Sequence, residues 1–303
     1  MALGVIIRGV GGLYSVEPVN ECDDGDGSGE ILCSARGIFR KLRITPLAGD
    51  EVEFEADAIR PGYGSITKIY ERRSELLRPP VANVDQLLIV MTFSIPAPDF
   101  LLADKLIIQA FSNGIKPVLC FNKSDLPPDM DFLAEEEGYL NAGIVTLRTS
   151  YSDAGSLYAL ESALRGKVTI LAGQSGVGKS TLFNGILEKR RMAVGEMSGR
   201  IGRGRHTTRH VELTRLLHGG WLVDSPGFSL FETEVANYRG LDRFYPEFAP
   251  YIGRCKFKEC SHIHEPDCAV LDALRRGEIH AGRHGRYAEL YKAYRLADER
   301  KYK

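Results

Sequence analysis

Gly173-Gln174-Ser175-Gly176-Val177-Gly178-Lys179-Ser180 fits the spacing G-x-x-x-x-G-K-[ST], a loop built to hold phosphates. Glycines let successive backbone N–H groups turn inward around an anion, and the N-terminus of a following helix adds its dipole. In such a loop Lys179 reaches the β- and γ-phosphates, and Ser180, followed by Thr181, offers a hydroxyl to Mg²⁺. The stretch follows an apolar run, KVTILA, and opens a helix-like run, STLFNGILEKRR, as the mechanism requires. Asn122-Lys123-Ser124-Asp125 implies different chemistry. A carboxylate at Asp125 can accept from guanine N1–H and the 2-amino group, whereas adenine offers neither donor and would leave the charge unpaired. Asn122 would bridge this clamp to neighbouring loops, and the stem of Lys123 would lie along the purine face. The tetrad follows the strand-like KPVLCF, at the carboxyl edge where sheets bind ligands. Ser150, in TSYSDAG after the next strand, is a candidate to give its backbone N–H to the guanine O6.

Two more elements complete the set. Asp224-Ser225-Pro226-Gly227 ends the apolar run GWLVDSPG, placing an aspartate to hold Mg²⁺ through water and Gly227 to sense a γ-phosphate. Before it, GRGRHTTRH (202–210) carries Thr207 and Thr208, either of which could complete the Mg²⁺ shell when GTP is present. The chain order is therefore base clamp, phosphate loop, switch threonine, then D-x-x-G. The cyclic order is that of a GTPase, and only the starting point has moved, which identifies a circular permutation. A parallel sheet tolerates this when nearby termini are joined and a loop is opened elsewhere. Phosphoryl transfer also needs a group to position the attacking water, often a glutamine after D-x-x-G. Phe228 stands there and cannot do it. His206 is the candidate catalytic residue, since a neutral imidazole can accept from water; the alternative is a histidine in a basic, solvated loop.

Cysteine chemistry is concentrated near the end. Cys255-x₄-Cys260-x-His262-x₅-Cys268 offers three thiolates and an imidazole, a closed tetrahedral zinc site of the structural kind. His264 is a rival ligand. Cys22, Cys33 and Cys120 are scattered and read as small core residues.

The elements that must position these groups follow from the hydrophobic rhythm. Residues 1 to about 78 alternate short β-branched and aromatic segments with glycine turns, which predicts a small β-barrel. Within it, GEILCSARGIFRKLRI is read as one strand-like segment, and the acidic, glycine-rich NECDDGDGSGE (20–30) as a loop. LLRPPVANVDQ (76–86) is read as an irregular linker because of its two prolines. From 79 to 231, apolar strands alternate with amphipathic helices, predicting an α/β domain with a mostly parallel sheet covered by helices on both faces. Residues 232–303 read as a helical, cysteine-bearing domain.

The chain of 303 residues is long enough for two or three domains, with 44% hydrophobic and 26% charged residues and a formal net charge of −1. That balance excludes a uniformly basic nucleic-acid glove. Local patches exist: residues 200–215 hold five arginines against one acid, and 271–303 hold nine Lys/Arg against five acids. No apolar run reaches the roughly 20 residues that span a bilayer. The start, MALGVIIRGVGG, lacks a secretory h-region and cleavage site, so a cytoplasmic protein is expected. Tyr14, Phe39 and Tyr63 of the barrel could stack on bases, although core packing is the commoner use of such residues.

Taken together, ARGIFRK and GDEV in the barrel, RPPVANVDQ, NKSD, GQSGVGKS, GRGRHTT, DSPGF and CKFKECSHIHEPDCAV resemble one family along essentially the whole chain. It is the bacterial ribosome small subunit-dependent GTPase A family of circularly permuted GTPases. The resemblance implies an oligonucleotide-binding-fold (OB-fold) barrel and GTP hydrolysis that is slow alone and stimulated by the small ribosomal subunit. It also implies a role in late maturation of that subunit, zinc on Cys255, Cys260, His262 and Cys268, and guanine recognition by Asn122, Lys123 and Asp125; the basic stretches beside such a barrel add an expected contact with rRNA, and a monomer is expected. The stretch 20–30 departs as an insertion, His264 complicates the ligand set, and Ser150 stands where many GTPases have alanine. Two other readings are a nucleotide-gated RNA-binding checkpoint factor with incidental turnover, and a P-loop kinase or ATPase, which Asp125 opposes.

Overall fold

The computed structural model describes residues 1–19, 29–128, 130–194, 211–224 and 238–301. From the N-terminus, β1 (Ala2–Val10) and β2 (Leu13–Pro18) form a hairpin, followed by β3 (Ile31–Ala35), the short helix α1 (Gly37–Lys41), β4 (Glu51–Ala56) and β5 (Tyr63–Ile69). A two-stranded hairpin, β6 (Glu75–Leu77) and β7 (Pro80–Ala82), leads to β8 (Gln86–Thr92), α2 (Phe100–Ser112), β9 (Lys116–Asn122), α3 (Met130–Asn141), β10 (Val145–Thr149) and α4 (Ala154–Leu164). Then come β11 (Val168–Ala172), α5 (Lys179–Val194), β12 (Glu212–Arg215) and β13 (Trp221–Asp224). The C-terminal part has two 3₁₀ segments, Tyr238–Phe244 and Pro246–Phe248, and the helices α6 (Ala269–Arg275) and α7 (Ala281–Lys301).

The chain divides into two compact units. The first comprises Met1–Gln86, Glu161–Leu171 and Ser180–Phe231. Its N-terminal part is a closed five-stranded barrel: β1 pairs antiparallel with β2 and β4, β2 with β3 and β4 with β5, while β3 pairs parallel with β5. Alternation along the strands turns Ile6, Val16, Cys33, Val52, Phe54 and Ile66 inward. The stretch expected as one strand instead breaks after β3 into α1, whose one-sided burial of Phe39 caps this core. Tyr14 packs against its edge, and Tyr63 is exposed. The stretch expected as an irregular linker holds the β6–β7 hairpin: Pro79 sits in the turn and Pro80 opens β7, where no ladder donor is lost from a central strand. In the same unit β11 pairs parallel with β13, and β12 antiparallel with β13.

The second unit comprises Leu87–Leu160, Ala172–Lys179 and Glu232–Lys303. β8 is buried along its whole length and lies beside β9, which pairs parallel with β10 from Val118–Val145 to Asn122–Thr149. Each strand feeds a helix. Asp99 caps α2, accepting from the Leu102 N–H at 2.9 Å, and Asn113-Gly114 ends it, with Gly114 at φ 69°. The C-terminal segment packs an aromatic core of Tyr245, Phe248, Tyr287 and Tyr294 with Leu241, Val270 and Leu290. No helix among the described residues is long and apolar enough to cross a membrane.

Candidate functional site

The base clamp sits where β9 ends. Phe121 and Asn122 finish the buried strand, and Lys123 turns the chain at φ 61°, a conformation uncommon for a residue with a Cβ. Asn122 Nδ2 donates to the Val177 carbonyl of the phosphate loop at 2.9 Å, and its Oδ1 accepts from Thr149 Oγ1 at 3.1 Å. Lys123 Nζ donates to the Gly176 carbonyl at 3.2 Å and to that of Ile95 at 2.7 Å. Clamp and phosphate loop, widely separated in sequence, are thereby wired into one structure. Ser124 N–H donates to the Thr149 carbonyl at 3.0 Å, tying the clamp to the neighbouring strand.

Asp125 is exposed. Ser150 Oγ donates to its Oδ1 at 2.6 Å, and this hydroxyl, then the Asp125 N–H, holds the carboxyl below its ordinary value. Ser150 thus contributes through its hydroxyl. Its N–H, expected to face guanine O6, donates to Ser156 Oγ at 3.0 Å. Ser152 Oγ lies 2.7 Å from Ser150 Oγ, completing a cluster of three hydroxyls behind the carboxylate. Thr149, Ser152 and Ser156 went unrecognised in the sequence, although their density in TSYSDAGS after a strand was a usable signal. Beneath them Cys120, pushed up to about 12 by burial, is an inert core thiol.

The phosphate loop links β11 to α5. Two of its glycines are required by close approach: a Cβ on Gly173 (φ 127°) would lie 2.1 Å from the Val90 carbonyl oxygen, and one on Gly178 (φ 95°) would lie 2.4 Å from Asn122 Nδ2. Gln174, Ser175 and Gly176 form the rim, with Ser175 and Gly176 exposed and Val177 buried as its anchor. Lys179 Nζ donates to the carbonyls of Gly173 at 2.7 Å and Gln174 at 2.6 Å, and burial lowers its pKa. Ser180 and Thr181 stand exposed in the first turn of α5, at a helix N-terminus whose free N–H groups favour an anion. His206, Thr207, Thr208 and Gly227 lie outside the described residues, and Asp224 is described only as the last residue of β13.

At the other end of the second unit, Cys255, Cys260, His262 and Cys268 bring one ligand atom each within 4.8 Å of one another. Cys255 Sγ lies 3.8 Å from Cys268 Sγ and 3.6 Å from His262 Nδ1, which lies 3.4 Å from Cys268 Sγ. Four ligands about 2.3 Å from one ion in a tetrahedron stand roughly 3.8 Å apart, so the donor set fits a closed metal site. Burial raises the Cys260 and Cys268 thiols. It raises Cys255 too, but the Ala269 N–H and Cys268 outweigh it and hold that thiol below its ordinary value. A cation would deprotonate all three. His264 is exposed and outside the cluster. The loop is braced by residues that spacing alone does not announce. Asp242 Oδ2 lies 3.8 Å from His262 Nε2, and Glu265 accepts from the N–H groups of Ser261 (2.8 Å), Ile263 and His264 (3.2 Å each).

The chain matches the model of the RsgA GTPase over residues 69–234 and that of the RsgA N-terminal domain over residues 3–63. It is 45% identical over 303 residues to the small ribosomal subunit biogenesis GTPase RsgA of Ruminiclostridium cellulolyticum, covering 100% of this chain and 96% of the relative. The protein of the same name from Geobacillus kaustophilus is 41% identical over 296 residues, 95% of each chain. Among solved structures, YloQ, described as a circularly permuted GTPase, superposes with a TM-score of 0.80 at 36% identity, covering 98% of this chain and 96% of its own. YjeQ from Thermotoga maritima gives 0.79 at 30% identity, covering 97% and 98%.

Proposed function

The chain belongs to the RsgA family of circularly permuted GTPases, and from that premise we propose that it hydrolyses GTP to GDP and phosphate while acting on the small ribosomal subunit late in its maturation. The observation that supports this is the bond from Asn122 Nδ2 to the Val177 carbonyl, which joins the tetrad ending in Asp125 to the Gly173–Ser180 loop. In this reading Asp125 selects guanine, Gly173 to Ser180 hold the phosphates, and Lys179 leaves its loop carbonyls for the β- and γ-oxygens. Mg²⁺ would be held by Ser180 and Asp224, with Thr207 or Thr208, and would neutralise charge on the transferred phosphoryl group. His206 would orient the attacking water. Zinc on the Cys₃His cluster would be structural, because all four tetrahedral positions are protein ligands.

The domain reading is a barrel over 1–78 of the OB-fold kind, a permuted GTPase domain over 79–231 and a zinc-bearing domain over 232–303. The protein would act as a cytoplasmic monomer, with the barrel and the basic stretches 200–215 and 271–303 contacting rRNA, an attraction that weakens with salt. The test is GTP hydrolysis at fixed Mg²⁺, alone and with purified small subunits, with large subunits as the control. Slow turnover alone and strong stimulation by small subunits only is the expected result. Nucleotide-dependent binding without stimulation would replace the enzyme reading with that of a nucleotide-gated assembly factor. A normal stimulated rate in His206→Ala would remove that residue's role.

A further inference from the structure

We propose that the buried ionic cluster around Asp104 couples the metal loop to the guanine clamp, so that metal and guanine nucleotide each tighten the other's binding. The proposal rests on the two sites assigned above. Asp104, on α2, has a side chain 0% exposed. Its Oδ1 accepts from Arg283 Nη1 and from Tyr139 Oη (2.8 Å), and its Oδ2 from Arg286 Nε (2.6 Å). Arg283, itself 1% exposed, also forks onto Glu247 at 2.8 and 3.1 Å, while Arg286 forks onto Glu135 of α3 at 2.8 and 2.7 Å. His280 Nδ1 lies 3.8 Å from the same Glu135. Three carboxylates thus share two guanidinium groups away from water, and each charge depends on its partners. Such a cluster has one low-energy arrangement, and it fixes α7 against α2 and α3.

Each end of this clamp reaches a site. On α7, beside Arg283 and Arg286, His284 Nε2 meets the carbonyl of His262 at 2.8 Å, and Tyr287 Oη donates to that of Ser261 at 2.9 Å. Those carbonyls belong to a metal ligand and its neighbour. At the other end, α3 begins at Met130, shortly after the base clamp, whose turn is closed by the Leu126 N–H donating to the Lys123 carbonyl at 3.0 Å. The loop that enters α2 supplies the Ile95 carbonyl to Lys123 Nζ. Order in the metal loop therefore passes through α7 to the two helices that set the clamp. Arg286 is a positioning residue in this scheme and touches neither ligand.

Coupling of this kind is reciprocal, which gives a test that a purely structural role would not pass. Full-length protein is titrated with fluorescent mant-GDP, zinc-loaded and after stripping by a chelator that spares Mg²⁺. Zinc release to a chromogenic chelator is then followed with and without GDP. We expect stripping to raise the mant-GDP Kd about tenfold and GDP to tighten zinc by the same factor, within the usual range for coupled sites. Arg286→Met should keep both ligands while losing both effects, and Glu135→Gln serves as the milder variant should that one not fold. Wild-type Kd values within twofold with and without zinc would overturn the coupling. Zinc-loaded wild-type protein that binds no guanine nucleotide would sink the site assignment itself and the proposal with it.

Discussion

The barrel and the cysteine-bearing segment are held together by different means. In the barrel, a closed ladder of backbone hydrogen bonds surrounds a small core rich in aliphatic side chains, and ion pairs lie at its margin: Arg36 and Glu55, paired at 2.7 Å, are each about half exposed, while the buried Asp50 carboxylate is held by Arg72 at 2.7 and 2.8 Å. In the segment from Tyr238 onward, regular structure is sparse before α6. The core is aromatic, with Tyr287 edge-on to Phe248 at 4.9 Å, and charges and thiols are inside. Burial of aliphatic groups is non-directional and forgives small changes. Buried ions and metal ligands are directional and do not. The barrel should therefore fail gradually and the metal segment abruptly.

Removing the metal should break the comparison most visibly. Structural zinc contributes about 10–16 kcal/mol of apparent binding free energy in small domains. Chelation, or Cys268→Ser, should abolish amide-exchange protection across 249–294 while leaving β1 to β5 protected. Equal loss in both regions would show that the contrast is mistaken. Next in size, Arg283→Met leaves Asp104 and Glu247 short of a buried partner and should cost about 3–5 kcal/mol in urea unfolding. Ile66→Val, which removes one methylene from the barrel core, should cost about 1 kcal/mol in the same assay. Arg36→Met at the barrel surface should cost less than about 1 kcal/mol and be salt-sensitive.

The thiols sharpen the contrast. Burial pushes Cys33 of the barrel up to about 11, so below that pH it stays a thiol, and at pH 8 roughly one molecule in a thousand carries the reactive thiolate. Once metal is removed, Cys255, Cys260 and Cys268 in the unprotected segment should be alkylated by iodoacetamide at pH 8, and Cys33 should resist until the barrel unfolds. Labelling of Cys33 at a rate comparable to Cys255 would show that the barrel core opens readily.

This contrast also governs what could be read from the sequence. Strand alternation, G-x-x-x-x-G-K-S and the cysteine spacing are one-dimensional signals, and the structure brings each set together where the spacing led one to look. The β6–β7 hairpin was obscured because Pro79 and Pro80 read as breakers, whereas one sits in a turn and the other opens an edge strand. Ser150 was read as offering its N–H to guanine O6, whereas in the structure that N–H donates to Ser156 and the hydroxyl donates to Asp125. The Asp104 cluster was invisible. An aspartate in FLLADKLIIQAF resembles a solvent-facing charge until arginines from α7, near the other end of the chain, arrive to meet it.

Lys179 rests on two carbonyls of its own loop. A free orthophosphate would have to displace both bonds unaided, with no other part of the molecule anchored beside it. A nucleotide already anchored by its base meets the same lysine at a high effective concentration. The loop therefore sets a threshold that loose anions do not cross, and the protein should ignore a phosphate-rich solution while answering dilute guanine nucleotide.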